Sequence, residues 1–295
     1  RNWAEPETHR VTVDLTQHLL TISADRTPLW IDAWRYGENL LNKGQPAPWD
    51  DVGQLASFAG KLQALVASDV LMVEVQSFYD YWLAQNPALL QAMAEKRRLG
   101  YPLRTLLADE AARAQLRQLV QALCDSNSQL PLLLAMPSPR QWMARACCQA
   151  RGIESVDVSW DDAESASMYL ADYLRTFADC PLSGVLIRDI PGEGPSNSSE
   201  LARYQPLVNV AGHYQWQVVL DGCGEGEVDT AAAGGVLLRG ADIGGLSGVR
   251  VTGIDAPPGA DASFPGNCYS HVAGPENATP ERVLEFLDNL RRPGG

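Results

Sequence analysis

The feature that most constrains the fold of this 295-residue chain is a repeated alternation of a short apolar run, a turn and a helical pattern. Eight runs are predicted as strands: residues 28–34, 69–75, 131–137, 155–159, 184–190, 216–222, 235–240 and 248–255. Most are apolar on both faces, which is typical of a parallel sheet covered by helices. The pattern predicts one (β/α)₈ TIM barrel domain over residues 1–295, with a helical N-terminal elaboration; an open doubly wound sheet is the alternative.

Helix start signals lie between the predicted strands. Residues 50–67 carry a helical apolar stripe, and residues 87–123 predict two or three helices broken near Gly100. Ser159 is a predicted N-cap, and Thr279 followed by Pro280 predicts the start of the last helix. The Gly- and Ser-rich stretch 191–199 follows a strand, so we expect it on the catalytic face, where it could act as a lid.

The charge balance excludes some classes of partner. Lys and Arg number 23 against 36 Asp and Glu, for a formal charge of −13, so the molecule repels phosphate backbones and anionic lipid surfaces. We therefore expect a small-molecule substrate and neither nucleic acid nor membrane as partner. The first residues lack the pattern of a signal peptide and no apolar run approaches the roughly 20 residues of a membrane span, which predicts a cytoplasmic protein.

Four segments carry a resemblance to a known superfamily. They are TPLWIDAWRYGENL (27–40), ASDVLMVEVQSFYD (67–80), the helix and strand of residues 161–191, and GNCYSHVAGPENATPERV (266–283). In this order they resemble the uroporphyrinogen decarboxylase superfamily, which includes zinc-dependent, corrinoid-linked methyltransferases and is related in fold to cobalamin-independent methionine synthase. The resemblance implies a TIM barrel with its site at the carboxyl ends of the strands. The first segment departs from the signature, because it is two residues shorter and lacks the first arginine.

The methyltransferase branch of the superfamily implies a zinc site. Its His-x-Cys motif aligns with Asp221 and Cys223, and its second cysteine aligns with Cys268. Zinc held by these three residues would activate a substrate thiol for methyl transfer, with a corrinoid or other methyl-donor protein as an additional partner. Asp-x-Cys is less diagnostic than His-x-Cys, and two small thiols in loops are the simpler alternative.

The decarboxylase branch implies a different chemistry, which needs no metal. Asp69 falls where the decarboxylases carry their essential aspartate, Arg35 matches the end of their arginine signature, and His271 lies one residue from their histidine. The acidic chain argues against a substrate with many carboxylates, so a smaller acid is expected. A third possibility is a barrel that has lost catalysis and serves as a binding or assembly subunit.

Further substrate-binding candidates lie near predicted strand ends. Arg188 and Asp189 could pair with each other or face a substrate. Trp30, Trp34 and Tyr79 could line an apolar pocket, although such aromatic residues more commonly belong to the core.

Overall fold

The fold is an α/β arrangement of parallel strands and helices, and a computed structural model describes residues 12–223, 237–238, 247–251, 268–272 and 278–291. The strands are β1 (Leu29–Ile31), β2 (Leu71–Glu74), β3 (Leu132–Pro137), β4 (Gly184–Arg188), β5 (Gln217–Asp221), β6 (Leu237–Leu238), β7 (Ser247–Val251) and β8 (Cys268–Val272). A five-stranded sheet has the order β2-β3-β4-β5-β6 and a three-stranded sheet the order β1-β8-β7. Every strand pairing within the two sheets is parallel. This agrees with the parallel sheet that the apolar runs predicted.

The two sheets adjoin where β1 meets the residues before β2. The N–H of Asp69 donates to the carbonyl of Leu29 at 2.8 Å, and the N–H of Ile31 donates to Oγ of Ser68 at 3.1 Å. The spatial order therefore runs β7-β8-β1-β2-β3-β4-β5-β6.

Twelve helices are described in this part of the chain. They are α1 (Leu15–Ser23), α2 (Trp34–Leu41), α3 (Val52–Val66), α4 (Val75–Gln85), α5 (Pro87–Met93), α6 (Tyr101–Leu107), α7 (Glu110–Ser126), α8 (Pro139–Arg151), α9 (Trp160–Leu174), α10 (Ser198–Leu201), α11 (Gln205–His213) and α12 (Pro280–Arg291). Short 3₁₀ turns follow α9, at Arg175–Phe177, and α10, at Ala202–Tyr204.

The predicted helix starts are confirmed where a capping residue or proline marked them. Oγ of Ser159 accepts the N–H of Asp162 at the start of α9, which meets one of the unpaired N–H groups of the first turn. Pro280 is the first residue of α12, where a missing N–H has no consequence. The predicted break near Gly100 also separates α5 from α6.

The core has two layers because successive strand residues face opposite sides. One cluster lies on the inner face of the strands and joins β1 to β5 and β8; it contains Trp30, Val70, Leu133, Ala135, Leu186, Val219 and Tyr269, with Leu15 and Leu19 of α1 packed on it. The residues between them, such as Leu134 and Ile187, pack against the helices instead. This double burial explains why the strand runs lack an exposed polar face.

Two strand predictions were wrong. Residues 155–159 form no strand; the carbonyl of Val158 accepts a hydrogen bond from Nε of Arg140 instead of from a strand partner. Residues 268–272 were not among the predicted strands but form β8, which pairs with both β1 and β7. Its Ser, Cys and His content was taken for site chemistry, although Tyr269 and Ser270 are fully buried in the sheet.

No described helix is both long enough and apolar enough to cross a membrane.

Candidate active site at the carboxyl ends of the strands

A layer of charged residues covers the carboxyl ends of four of the five neighbouring strands β1 to β5. Its members end a strand or directly follow one: Asp32 after β1, Glu74 on β2, Arg188 on β4 and Asp221 on β5. The period of two places Arg188 on the same face as Leu186, whose side chain belongs to the inner cluster. The inner face is therefore apolar along its length and charged at the end where α/β barrels carry their sites.

Arg188 is the central cation of this layer. Its Nη1 lies 2.8 Å from both carboxylate oxygens of Glu74, and its Nη2 lies 3.1 Å from Oδ1 of Asp32. Burial disfavours the charged guanidinium, but Glu74, Asp32 and Asp221 outweigh that penalty and raise the pKa of Arg188. The side chain keeps 28% of its surface exposed, so part of this permanently charged residue is accessible at the rim.

Asp189 directly follows Arg188, the last residue of β4. The hydroxyl of Tyr204 donates to its Oδ2 at 3.2 Å, and the hydroxyl of Ser138 donates to its Oδ1. Burial raises the pKa of Asp189 to about 6, although the two hydroxyls oppose that shift. The group therefore changes its protonation state near neutral pH, unlike an ordinary carboxyl.

Close backbone contacts fix the position of Asp189. Its N–H donates to the carbonyl of Asp221 at 2.8 Å, and the N–H of Gly194 donates to the carbonyl of Gly222 at 3.1 Å. Gly222 has a φ of +86°, and a Cβ there would lie 2.3 Å from the carbonyl oxygen of Asp189. Only glycine fits this position without displacing the acid.

A cavity of about 670 Å³ opens beside these residues. Glu74, Arg188 and Asp189 line it together with the first turn of α4, one face of α8 and residues 154–156. Its volume falls in the range of roughly 300–1,000 Å³ that is usual for small-molecule sites.

The segment predicted as a lid borders this cavity. Oε2 of Glu193 accepts from Nε2 of Gln141 at 3.0 Å, and Arg140 donates to the carbonyl of Glu193 at 3.1 Å. The segment is thus held against α8, and its role as a lid stays a prediction.

Asp69 and Arg35, predicted as catalytic, lie away from this cavity. Asp69 precedes β2 and accepts from Arg26 through both oxygens, at 2.7 and 2.5 Å, and from the N–H of Leu29 at 2.7 Å. Its exposure of 4% and its place at the amino end of β2 make it a clamp between β1 and β2. Arg35 is an exposed residue of α2. Neither residue lines the cavity, and Asp69 lies at the opposite end of its strand.

The predicted aromatic ligand-binding residues pack mainly in the core. Trp30 is fully buried, and its Nε1 donates to Sδ of Met72 at 3.1 Å. Tyr79 is also fully buried, with its ring 5.7 Å from that of Trp142. Trp34 borders a cavity of only about 50 Å³, which is too small for a substrate.

The three predicted zinc ligands occupy different ends of the strands. Asp221 ends β5 and Cys223 follows it, whereas the backbone of Cys268 begins β8. The register pairs Ser270, two residues after Cys268, with the first residue of β1, so Cys268 lies at the amino side. Burial, with Asp189 and Asp221 nearby, raises the pKa of Cys223 to about 11, which keeps its thiol protonated at neutral pH.

The side chains of Cys268 and of His271, the predicted catalytic imidazole, lie outside the described residues. In the part of the chain that is described, no group of three His, Cys, Asp or Glu side chains could hold a metal ion. Zinc binding stays a prediction.

Sequence reasoning missed four residues of the site: Asp32, Glu74, Ser138 and Tyr204. Three of them could have been found, because Asp32, Glu74 and Ser138 directly end or follow apolar runs, where barrel sites are built. Tyr204 lies in a 3₁₀ turn distant in sequence and had no such signal.

Comparisons with known proteins give little sequence-level information. No family model matches the chain, and no curated protein matches it. Among solved structures, the chain is similar to one described as "a putative phosphonomutase from Burkholderia cenocepacia J2315", with 12% identity, a TM-score of 0.40, and coverage of 93% of this chain and 95% of that chain.

These findings correct the family prediction. The matched structure is described as a different kind of enzyme from a uroporphyrinogen decarboxylase, and no family model supports the resemblance of the four segments. Assignment to the uroporphyrinogen decarboxylase and corrinoid-linked methyltransferase superfamily is therefore wrong, and so is the prediction of zinc-thiolate methyl transfer. The physical reason is visible at Asp69, which the family signature placed in a site and the structure places in a clamp at the opposite end of the strand.

Proposed function

We propose that residues 1–295 form a single (β/α)₈ barrel that acts as a lyase, decarboxylating a small carboxylic acid at the carboxyl ends of its strands. Eight parallel strands in the order β7-β8-β1-β2-β3-β4-β5-β6 support the barrel, which would close between β6 and β7. The formal charge of −13 favours a small-molecule ligand over nucleic acid or an anionic membrane.

The observation that carries the proposal is the half-buried carboxyl of Asp189 on the wall of a cavity large enough for a substrate. A general acid works best when its pKa lies near the working pH. With a pKa of about 6, Asp189 can hold a proton in weakly acidic solution and release it during a reaction.

In the proposed reaction the substrate carboxylate binds at the exposed part of Arg188. The bond from the carboxyl carbon to its neighbour breaks, CO₂ leaves, and the electron pair stays on the substrate carbon, delocalised into an adjacent carbonyl group. The protonated Asp189 delivers its proton to that carbon and is protonated again by water. Ser138 and Tyr204, which hold the two carboxyl oxygens, keep the acid in position for the transfer.

The test is a screen of 3-oxo carboxylic acids of three to six carbons, whose loss of CO₂ leaves an enolate, with CO₂ release followed by isotope labelling and binding followed by calorimetry. We expect turnover by the wild type to fall about 10²- to 10⁴-fold in Asp189→Asn, which is the usual contribution of a general acid. Because the acid form is needed, the rate should decline above about pH 6. Asp157→Asn, at an exposed position that is not itself part of the cavity lining, is the control and should keep wild-type activity.

Two outcomes would contradict the proposal. Equal turnover in the wild type and Asp189→Asn would remove the proton donor from the mechanism. Binding of an acid without any turnover would instead support the barrel as a catalytically inactive binding subunit.

A further inference from the structure

The cavity has a second polar wall, separate from Arg188 and Asp189. It is formed by the first turn of α4, which contributes Gln76 and Ser77, and by a face of α8, which contributes Gln141 and Arg145. The residues on α8 are four apart in sequence and therefore lie on one side of the helix.

The carboxylate of Asp80 accepts hydrogen bonds from side chains of this wall. Oδ2 of Asp80 accepts from Nη2 of Arg145 at 2.8 Å, and Oδ1 accepts from Nε2 of Gln76 at 2.8 Å and of Gln149 at 3.1 Å. Asp80 itself is absent from the cavity lining, whereas Arg145 and Gln76 belong to it. Since a guanidinium has five N–H donors, Arg145 keeps donors for a ligand while Asp80 fixes its orientation.

One atom of this wall lacks a partner. Oε1 of Gln76 is buried and accepts no hydrogen bond from any residue that the structure describes. A buried acceptor of this kind is costly unless a ligand or water supplies a donor. Gln76 and Arg145 both donate to Asp80, so the unmet acceptor belongs to the same polar cluster as the guanidinium.

Charged side chains of both signs line the cavity: Arg145 and Arg188, and the acids Glu74, Glu154 and Asp189. Glu74 is engaged by Arg188, and Asp189 is neutral below about pH 6, while Glu154 is exposed to solvent. Arg145 is itself paired with Asp80, so it meets a ligand carboxylate through the N–H groups that Asp80 leaves unused and not as an unpaired charge.

We propose that this wall is a recognition subsite for a second carboxylate, with Arg145 as the specificity-determining residue, so that the ligand is a dicarboxylic acid. The inference rests on the proposed function for the location of the first carboxylate at Arg188. It goes further in naming the substrate class and in predicting a preference that does not depend on catalysis.

The experiment measures binding of saturated α,ω-dicarboxylates of three to six carbons against monocarboxylates of equal length, by calorimetry at pH 5.5. We expect the wild type to bind the best dicarboxylate at least about 10-fold more tightly than its monocarboxylate counterpart, and Arg145→Gln to lose that preference, because a charge-assisted hydrogen bond is worth about one to two powers of ten in affinity. Arg145→Lys, which keeps the charge, should retain part of the preference.

Arg117→Gln is the matched control. Arg117 is also a helix arginine in an exposed ion pair, 3.0 Å from Asp179 and with 44% of its side chain exposed, compared with 2.8 Å and 48% for Arg145. It does not line the cavity, so the control variant should keep the wild-type preference.

Failure of this inference is distinguishable from failure of the proposed function. Equal or undetectable affinities for the two acid series in the wild type, or an unchanged preference in Arg145→Gln, would overturn the subsite while leaving the decarboxylase test untouched. A preference that depends on Arg145 and survives in Asp189→Asn supports the subsite, whether or not any acid is decarboxylated.

Discussion

The half-buried acid at position 189 makes the stability of the protein depend on pH in a direction opposite to that of an ordinary surface carboxyl. The pKa of Asp189 is raised from 3.8 to about 6. At ~1.36 kcal/mol for each pH unit, this change corresponds to about 3 kcal/mol.

The sign of this pH dependence follows from the state in which Asp189 binds its proton more tightly. The folded protein binds that proton more tightly than the unfolded chain does. Protonated Asp189 therefore contributes its full stabilisation below about pH 4, and this stabilisation is lost as the pH rises to about 6. Above that pH the folded protein carries a half-buried carboxylate at a cost of up to about 3 kcal/mol.

Asp189→Asn removes the charge and keeps the shape of the side chain, which can still accept from Ser138. The free energy of unfolding of the variant, relative to that of the wild type, is therefore expected to rise by up to about 3 kcal/mol between pH 4 and pH 8. Urea unfolding followed by tryptophan fluorescence at several pH values measures this difference. The exposed control variant, Asp157→Asn, should show no comparable trend. A difference between Asp189→Asn and wild type that does not change with pH would refute the reasoning.

Two other features give expected results. Arg26→Met leaves Asp69 as a buried, uncompensated carboxylate, so urea unfolding should show a loss of about 3 kcal/mol, whereas acid binding at the distant rim should not change; a stable variant would show that the pair is not a clamp. The thiol of Cys223, with its pKa raised from 9.0 to about 11, should react with iodoacetamide at pH 8 roughly 100-fold more slowly than a thiol of ordinary pKa. Mass spectrometry of the labelled peptide measures that rate, and rapid labelling would show a thiolate at this position.

Much of the fold could be predicted from the sequence, because in these strands and helix starts the local residue pattern agrees with the tertiary environment. The runs around Leu134, Ile187 and Val219 are apolar on both faces, and each is buried between an inner cluster and the helices. Ser159 and Pro280 marked helix starts through groups that act within one turn.

The strand β8 could not be predicted from its own residues. Residues 268–272 contain Cys, Ser and His and resemble a site loop, yet β8 is held between β1 and β7 by long-range pairing. The run 155–159 has the alternation of a strand but finds no neighbouring strand to pair with. Pairing partners are a property of the whole topology, and a single run does not reveal them.

The candidate site overlaps the sequence prediction in part. Arg188 and Asp189 were predicted because both lie at a strand end, and the structure places both on the cavity wall, while their role toward a substrate stays a prediction. Asp69 was misjudged because the family signature identified a residue type at a position without showing which end of the strand it would occupy. The roles of Ser138 and Tyr204 depend on contacts across 51 and 15 residues, which spacing alone does not predict.

The contact between Gly222 and the backbone of Asp189 has a consequence for protein engineering. The segments that follow β4 and β5 meet with no space for a side chain between them, and one of them carries the acid. Replacing either segment alone would leave the other without its complementary surface and would move the carboxyl group. A chimaera that imports a new specificity at this rim therefore has to exchange both segments together, as one unit.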